Sequence, residues 1–476
     1  MEPCPSPFNL SQYVLAKAEA QPDKIALAIL GPSRAERWSY GKLASAVRAT
    51  GAYFLSQGLQ PGDQLLMRLG NGVAFPLAYL GAIAVGIIPI PTSAQLTTPE
   101  LDTMLGKVTP RAMVLGPGLA APSAKLQSFT EDELLEGAKG EEADFLLGDP
   151  ERLAYIIFTS GTSGAPKAVA HAHRAIWARR MMFDGWYGIR PDDRLLHAGA
   201  LNWTFTLGTG LLDPWATGAT ALIPAEGTAT EALPLLLARH DATLFAAAPG
   251  VLRKLLKEPG KLELPKLRHT LTAGEHLHAS LREAWQSATG KGLYDAFGMT
   301  ECSTFLSANP SGTPSLSVQK GRKIRLQDDG TIAIHKDEQG LMLGYLEGGK
   351  PALPLTNEHF LTADKARWNP DGSLTYEGRA SDLLNAGGYR VSPVEVETAL
   401  AALDGIDEIA VAEVPVKDTS ILAAFYTGPA PLVSADIEAY AAARLARYKQ
   451  PRAYIHLQTL PRGPNGKLAR RALPAL

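Results

Sequence analysis

The sequence predicts a large layered α/β domain followed by a smaller α+β unit. Three observations predict it. The chain has 476 residues, more than the about 250–300 that one hydrophobic core holds, so at least two domains are expected. In the first part, short apolar strand patterns alternate with amphipathic helical patterns, which argues for substantial parallel sheet between helices. In the last hundred residues the pattern changes to a few strands and helices around Gly/Pro-rich loops. The boundary is expected at 379/380, giving residues 1–379 and 380–476.

Ile25–Ile29 reads as the first strand. Ser39 is a cap for a helix over Tyr40–Leu55, where Leu43, Ala46, Val47 and Phe54 share one face. Thr50 falls on that face and weakens the stripe. Gln64–Leu69 reads as a strand. No charge occurs between Arg68 and Glu100, and Val73–Ile90 is largely apolar, close to the roughly 20 residues of a membrane span. Pro76 and Pro89 interrupt it, and Asn71 and Pro91 flank it. It therefore reads as a buried helix over Val73–Val85 and a buried strand over Ile87–Ile90, not as a span. Beyond Gly387-Gly388, Ser392-Pro393 starts a helix over Val394–Leu403. Ile409–Val414 and Leu422–Tyr426 read as strands, Ala435–Ala446 as a helix, and Ala453–Leu457 as a strand before the loop Pro461–Lys467.

Composition excludes several classes. Hydrophobic residues make up 46% and charged residues 20%, which is neither disordered, collagen-like nor coiled-coil. Lys+Arg is 46 and Asp+Glu 48, for a net charge of -2, so no electrostatic footprint for nucleic acid or an acidic membrane is present. The two cysteines, Cys4 and Cys302, cannot build a disulfide framework or a four-thiolate zinc site. Their sparseness suits a reducing cytosol, and MEPCPSPFNLSQ lacks the basic and apolar regions of a signal peptide, so a cytoplasmic location is expected.

The most informative segment is Tyr155–Ala170, YIIFTSGTSGAPKAVA. An apolar strand over Tyr155–Phe158 runs into Thr159, Ser160, Gly161, Thr162, Ser163, Gly164, Ala165, Pro166 and Lys167. Backbone N–H groups of a Gly-rich turn converge on an anion, the four hydroxyls add donors, and the lysine adds charge. Nothing here reads GxxxxGK[ST], so an ordinary P-loop ATPase is disfavoured.

At this point the chain resembles the adenylate-forming superfamily of acyl- and aryl-CoA synthetases and related adenylation enzymes. TSGTSGAPKA matches the phosphate-loop signature, with Ala168 in place of its final Gly. Tyr294–Glu301, YDAFGMTE, is similar to the aromatic-Gly-x-Thr-Glu motif. Leu361-Thr362-Ala363-Asp364 resembles Thr-Gly-Asp, with Ala363 for Gly. Gly378–Gly388 with Ser392–Glu397 is similar to the hinge motif, and Pro461–Lys467 to the last motif, which carries a catalytic lysine. The motifs stand in the family's order over nearly the whole chain.

The resemblance implies a two-step reaction. A carboxylate attacks the α-phosphate of ATP to give acyl-AMP and pyrophosphate, and a thiol, usually that of CoA, then displaces AMP. Such catalysis is positioning and charge neutralisation. Thr159–Lys167 would cradle the β- and γ-phosphates, Thr300 would donate to the α-phosphate, and Glu301 would hold Mg²⁺. Asp364 and Arg379 would meet the ribose. Phe297 would pack on the adenine, with Asp295 and the Ala273-Gly274-Glu275 turn at its edge. Lys467 would touch both the carboxylate and the α-phosphate. The small domain would swing at Ser381, a departure from the usual Asp or Lys, and bring Gly387 and Gly388 toward the pantetheine of CoA. Arg444, Arg447, Lys449 and Arg452 are CoA-phosphate candidates or a solvated face.

The acid pocket would be lined by Gly199–Gly210, with Trp203 and Phe205, and by Gly298. No acidic residue stands there, and Asp213 comes too late to hold an ammonium, so an uncharged acyl or aryl acid is expected. The run Leu207–Thr220 resembles benzoate and short- or medium-chain acyl-CoA ligases. His171, His173 and His197 lack metal-site spacing and read as structural. Cys302 reads as buried and inert. The leading reading is an acid–CoA ligase. No carrier domain follows Lys467, which favours free CoA. A stand-alone enzyme loading a carrier protein and a catalytically idle nucleotide-binding relative are the alternatives. Oligomeric state, monomer or homodimer, is left open.

Overall fold

The computed structural model describes every residue except 1, 32, 161–165, 258–261, 275–276, 278, 309–315, 380–383, 387–388, 417–418, 446, 464–466 and 476. The largest sheet has nine strands. From edge to edge they are Ser317–Val318, Cys302–Ala308, Gly292–Met299, His269–Ala273, Leu244–Ala246, Arg194–His197, Thr220–Pro224, Ile25–Leu30 and Ala35–Ser39. The six from Gly292–Met299 to Ile25–Leu30 run parallel, and the outer strands turn back antiparallel. A second sheet is wholly parallel, in the order Ile88–Pro91, Gln64–Arg68, Pro110–Leu115 and Gln127–Thr130. The alternation of strand and helix signals thus gives the expected layered α/β body.

Helix Tyr40–Ser56 is capped by Ser39, whose hydroxyl accepts from the Lys42 amide. It packs on helix Ala74–Ala84, in which every residue is buried. The two approach closely because of glycine. A Cβ on Gly81 would stand 2.8 Å from the Thr50 side chain, and one on Gly51 2.8 Å from Val85. Thr50 does not weaken this face. It is fully buried, and its hydroxyl donates back to the Ala46 carbonyl at 2.8 Å, so no polar group is left unmet. No helix among the described residues is long and apolar enough to cross a membrane.

Two antiparallel sheets complete the body. One orders Lys350–Ala352, Gly344–Glu347, Pro166–Ala172 and Leu153–Ser160. The other orders Ile324–Leu326, Thr331–His335, His359–Trp368 and Leu355–Thr356, with Leu374–Arg379 also paired to His359–Trp368.

From Leu384 onward the chain buries its apolar residues in cores of its own. Strands Glu408–Val416 and Thr419–Thr427 are antiparallel, and Ala453–His456 joins them in parallel. Helix Pro393–Leu400 is capped by Ser392. Helix Ser434–Ala442 ends short of the expected Ala446, because the chain turns there to pack Leu445 onto this core. The last residues are not a free basic tail. Arg470 is paired with the buried carboxylate of Glu397 and donates to the Val411 carbonyl at 2.6 Å.

Candidate active site at the strand ends

Strands Leu153–Ser160 and Pro166–Ala172 form a hairpin with Thr159 opposite Lys167 and Ser160 opposite Pro166. The Gly-rich segment therefore joins two strands rather than entering a helix. The run Ala168–Ala172 is buried and pairs across the hairpin, with one register shift between Leu153 and Tyr155. Of the predicted phosphate donors, Gly161, Thr162, Ser163 and Gly164 lie outside the described residues.

Thr159 and Lys167 open into a crevice of about 200 Å³. Its other walls include Glu301, Tyr345, Thr362, Asp364 and Arg379. Five predicted residues from separate stretches of sequence, Thr159, Lys167, Glu301, Asp364 and Arg379, are thus brought together.

Glu301 sits in the turn between strands Gly292–Met299 and Cys302–Ala308. Its carbonyl accepts from the Met342 amide at 2.7 Å, and its Oε1 accepts from the Tyr345 hydroxyl at 2.8 Å. The neighbouring Thr300 carbonyl accepts from His171 Nε2 at 2.8 Å. Burial pushes His171 down to about 4, so its ring is neutral at pH 7 and serves as a fixed donor. Burial, reinforced by the Glu301 charge, pushes the Tyr345 phenol up, so it stays a donor.

Asp364 and Arg379 are cross-strand partners. Arg379 Nε lies 3.4 Å from Asp364 Oδ1, and the Tyr376 hydroxyl donates to the same oxygen at 2.8 Å. The Tyr376 ring in turn meets Phe297, with centroids 4.8 Å apart. Asp295, expected at the adenine edge, has one oxygen held by Arg282 of helix Ala279–Thr289 at 2.8 Å. Burial pushes its carboxyl above the usual range, and Arg282 draws it part of the way back.

A second cluster stands at the carboxyl ends of the parallel strands, where open α/β sheets bind ligands. Strand His269–Ala273 runs out into Gly274 at φ +95°. A Cβ there would stand 2.6 Å from the Trp203 ring and 3.9 Å from Lys467 Cε. Lys467 Nζ lies 5.9 Å from the Trp203 ring centroid. Trp203 meets Phe205 edge to face at 5.1 Å. Phe205 is buried and packs on His197 at 4.4 Å. His197, pushed down to about 3 by burial, is neutral and accepts from the Gly199 amide, so it is structural as expected. Strand Gly292–Met299 lies beside His269–Ala273, with Ala296 opposite Ala273, and Gly298 follows two residues further along the same strand. Glu275 lies outside the described residues. Asp213 is taken by Arg179 at 2.6 Å and Tyr187 at 2.6 Å, so it offers no anchor for an ammonium group.

Lys467 is held over the body by ion pairs. Glu408 of the C-terminal unit is paired with Arg253 of helix Pro249–Leu255 and with Arg462 at 2.5 Å. Among the candidate CoA cations, Lys449 pairs with Glu395 at 2.5 Å and Arg444 lies over Tyr440 at 3.5 Å, while Arg447 and Arg452 are exposed. Gly387, Gly388 and Ser381 lie outside the described residues. Sequence reasoning missed Tyr345, Tyr376 and Arg282. Each acts on a carboxylate distant or offset in sequence, and no local pattern marks them. Cys302 is buried.

The family model for "AMP-binding enzyme" matches residues 14–343, and that for "AMP-binding enzyme C-terminal domain" matches residues 395–467. The benzoate–CoA ligase of Thauera aromatica is 29% identical over 91% of this chain and 90% of that protein. The human mitochondrial acyl-coenzyme A synthetase ACSM5 is 27% identical over 92% of this chain and 84% of that protein. Among solved structures, a benzoate CoA ligase from Burkholderia xenovorans LB400 superposes with a TM-score of 0.88 at 26% identity, over 98% of this chain and all of that one.

Proposed function

The chain belongs to the AMP-binding enzyme family, and from that premise we propose that it is an ATP-dependent carboxylic acid–CoA ligase working through an acyl-AMP intermediate. The observation that carries this is the reach of Lys467 from the C-terminal unit to Trp203 and Gly274 at the strand ends.

In the first step a carboxylate oxygen bonds to the α-phosphorus of ATP and the bond to the β-phosphate oxygen breaks, releasing pyrophosphate. The acid is already ionised, so no general base is needed. What is needed is an arrangement in which two anions meet. Lys467 would supply an ammonium at that point, and Lys167 and Thr159, on the crevice wall, would hold the departing phosphates. Asp364, one oxygen of which is held by Arg379 and Tyr376, accepts from the ribose hydroxyls. Thr300 donates to the α-phosphate, Phe297 packs on the adenine, and Asp295 and Gly274 border it. In the second step the CoA thiol gives up its proton, its sulfur bonds to the acyl carbon, and the bond from that carbon to the phosphate oxygen breaks, so that AMP leaves with both electrons. Gly387 and Gly388 would flank the pantetheine after the C-terminal unit, residues 380–476, has turned about Ser381.

The donor set fits Mg²⁺. Magnesium takes hard oxygens, one or two carboxylates plus substrate phosphates. Glu301 stands at the crevice wall with one oxygen positioned by Tyr345 and the other left for an ion. The ion would neutralise phosphate charge. Among the described residues no group of three acidic, His or Cys side chains forms a cage, in keeping with an ion held jointly with the nucleotide.

The aromatic pair of Trp203 and Phe205 favours an uncharged aryl or short acyl acid, as does the likeness to benzoate–CoA ligases. The sparse cysteines favour a cytoplasmic setting. The test is ATP–pyrophosphate exchange with a panel of acids, followed by CoA and mass detection of the thioester. Exchange with a benzoate-like acid and a CoA thioester are expected. Exchange without thioester would point to carrier loading, and no exchange with any acid would overturn the ligase reading.

A further inference from the structure

We propose that Tyr345 is a positioning residue that keeps Lys167 and Glu301 apart and separately available, the ammonium for phosphate oxygen and the carboxylate for a divalent cation. The inference rests on the ligase reading of this crevice.

The geometry is specific. Strand Gly344–Glu347 pairs antiparallel with Pro166–Ala172, with Tyr345 opposite Val169 and Gly344 opposite Ala170. This places the tyrosine two residues along the strand from Lys167. The Lys167 ammonium lies 4.5 Å from the centroid of the Tyr345 ring. The hydroxyl of the same ring donates to Glu301 Oε1 at 2.8 Å. One side chain thus meets the cation with its π face and the carboxylate with its O–H.

Chemistry gives the arrangement a purpose. A lysine and a glutamate on the wall of one crevice attract each other, and a direct ion pair would occupy the charges each needs for ligands. An aromatic face holds an ammonium without consuming its N–H donors on an anion. A phenol donates one hydrogen bond to a carboxylate that has about four acceptor sites, so metal-binding capacity remains. Hydrogen-bonding partners of this kind orient ligating carboxylates, and removing one typically costs about 10–100-fold in metal affinity.

The backbone is built to hold the ring there. Gly344 has φ +143°, and a Cβ on it would lie 2.3 Å from the Ala352 carbonyl carbon. The strand carrying Tyr345 therefore packs against its return strand more closely than any other residue at 344 allows. The Met342 amide, three residues before Tyr345, bonds the Glu301 carbonyl.

Two variants separate the functions. Tyr345→Phe keeps the ring and removes the hydroxyl. Tyr345→Leu removes both. Calorimetric titration with ATP, with and without Mn²⁺, and electron paramagnetic resonance of free Mn²⁺ read binding directly, without turnover. Tyr345→Phe is expected to bind metal-free ATP as the wild type does and to bind Mn²⁺ in the presence of ATP about tenfold more weakly. Tyr345→Leu is expected to lose affinity for metal-free ATP as well, because Lys167 is released onto Glu301. Wild-type Mn²⁺ affinity in Tyr345→Phe, or an equal loss of metal-free and metal-bound ATP in that variant, would overturn the inference while leaving the ligase reading intact. A wild-type chain that binds no ATP would overturn both.

Discussion

The body and the C-terminal unit hold their candidate site residues in different ways. In the body the candidate carboxylates among the described residues are each fixed by a neighbouring side chain. Asp364 is held by Arg379 and Tyr376, Asp295 by Arg282, and Glu301 by Tyr345. In the lid, Lys467 is exposed on a loop and is brought to the body by the ion pairs at Glu408. On the proposed function, the groups that would meet the nucleotide are pre-organised. On the same reading, the group that would come between two anions is delivered by a separate part of the chain.

The contrast extends to acid sensitivity and gives the largest expected effect. Burial pushes His171 and His269 down to about 4 and His173 and His197 down to about 3, and all four belong to the body. An unfolded histidine titrates near 6.5, so below that pH the unfolded chain binds more protons and body stability falls. The loss is about 1.4 kcal/mol per pH unit for each such histidine, and it continues down to pH 3–4. Chemical denaturation at pH 7, 6 and 5 with hydrogen exchange read separately for the two parts should show the body weakening first. A body midpoint independent of pH in this range would erase the distinction.

Lys467→Ala comes next. Removing the delivered ammonium should lower ATP–pyrophosphate exchange by about a thousandfold. Conversion of supplied acyl-AMP to thioester should survive much better. Equal losses in both half-reactions would mean that the lysine is not delivered for the first alone. Asp364→Ala should raise the KM for ATP by about 10–100-fold with the KM for the acid little changed, since it removes hydrogen bonds to a charged group. An acid-dependent effect instead would move Asp364 away from the ribose. Glu408→Gln, which weakens the hold of the lid on Arg253, should lower exchange only about three- to fivefold and spare the thioester step. A loss as large as that of Lys467→Ala would make Glu408 part of the chemistry rather than of the lid contact.

Much of this was legible in sequence because it is periodic or locally encoded. The apolar face of Tyr40–Ser56 and the uncharged apolar run around Ala74–Ala84 marked their helices, and Ser39 and Ser392 marked their caps. Thr159, Lys167, Glu301, Asp364, Arg379 and Lys467 were found through motifs. What escaped depends on contacts between distant segments. Tyr345 follows a glycine in a stretch with no period, and its meaning appears only when strand Gly344–Glu347 pairs beside Lys167. Arg282 lies on the outer helix with no sequence sign of its partner, Asp295. The return of the Gly-rich loop as a second strand was equally hidden, since glycine and proline announce a turn but not its exit. Thr50 looked like a flaw in its helix because Gly81, which makes room for it, is on another helix.

The carboxylate of Glu408, shared between an arginine of the body and one of the lid, is open enough for dissolved ions to reach it. Ionic screening shortens from about 8 Å near physiological strength to about 3 Å at 1 M. Added salt should therefore slow the half-reaction that requires this docked pose and favour the one that requires release. The same protein in dilute and in concentrated buffer would then differ in which half of its cycle sets the pace.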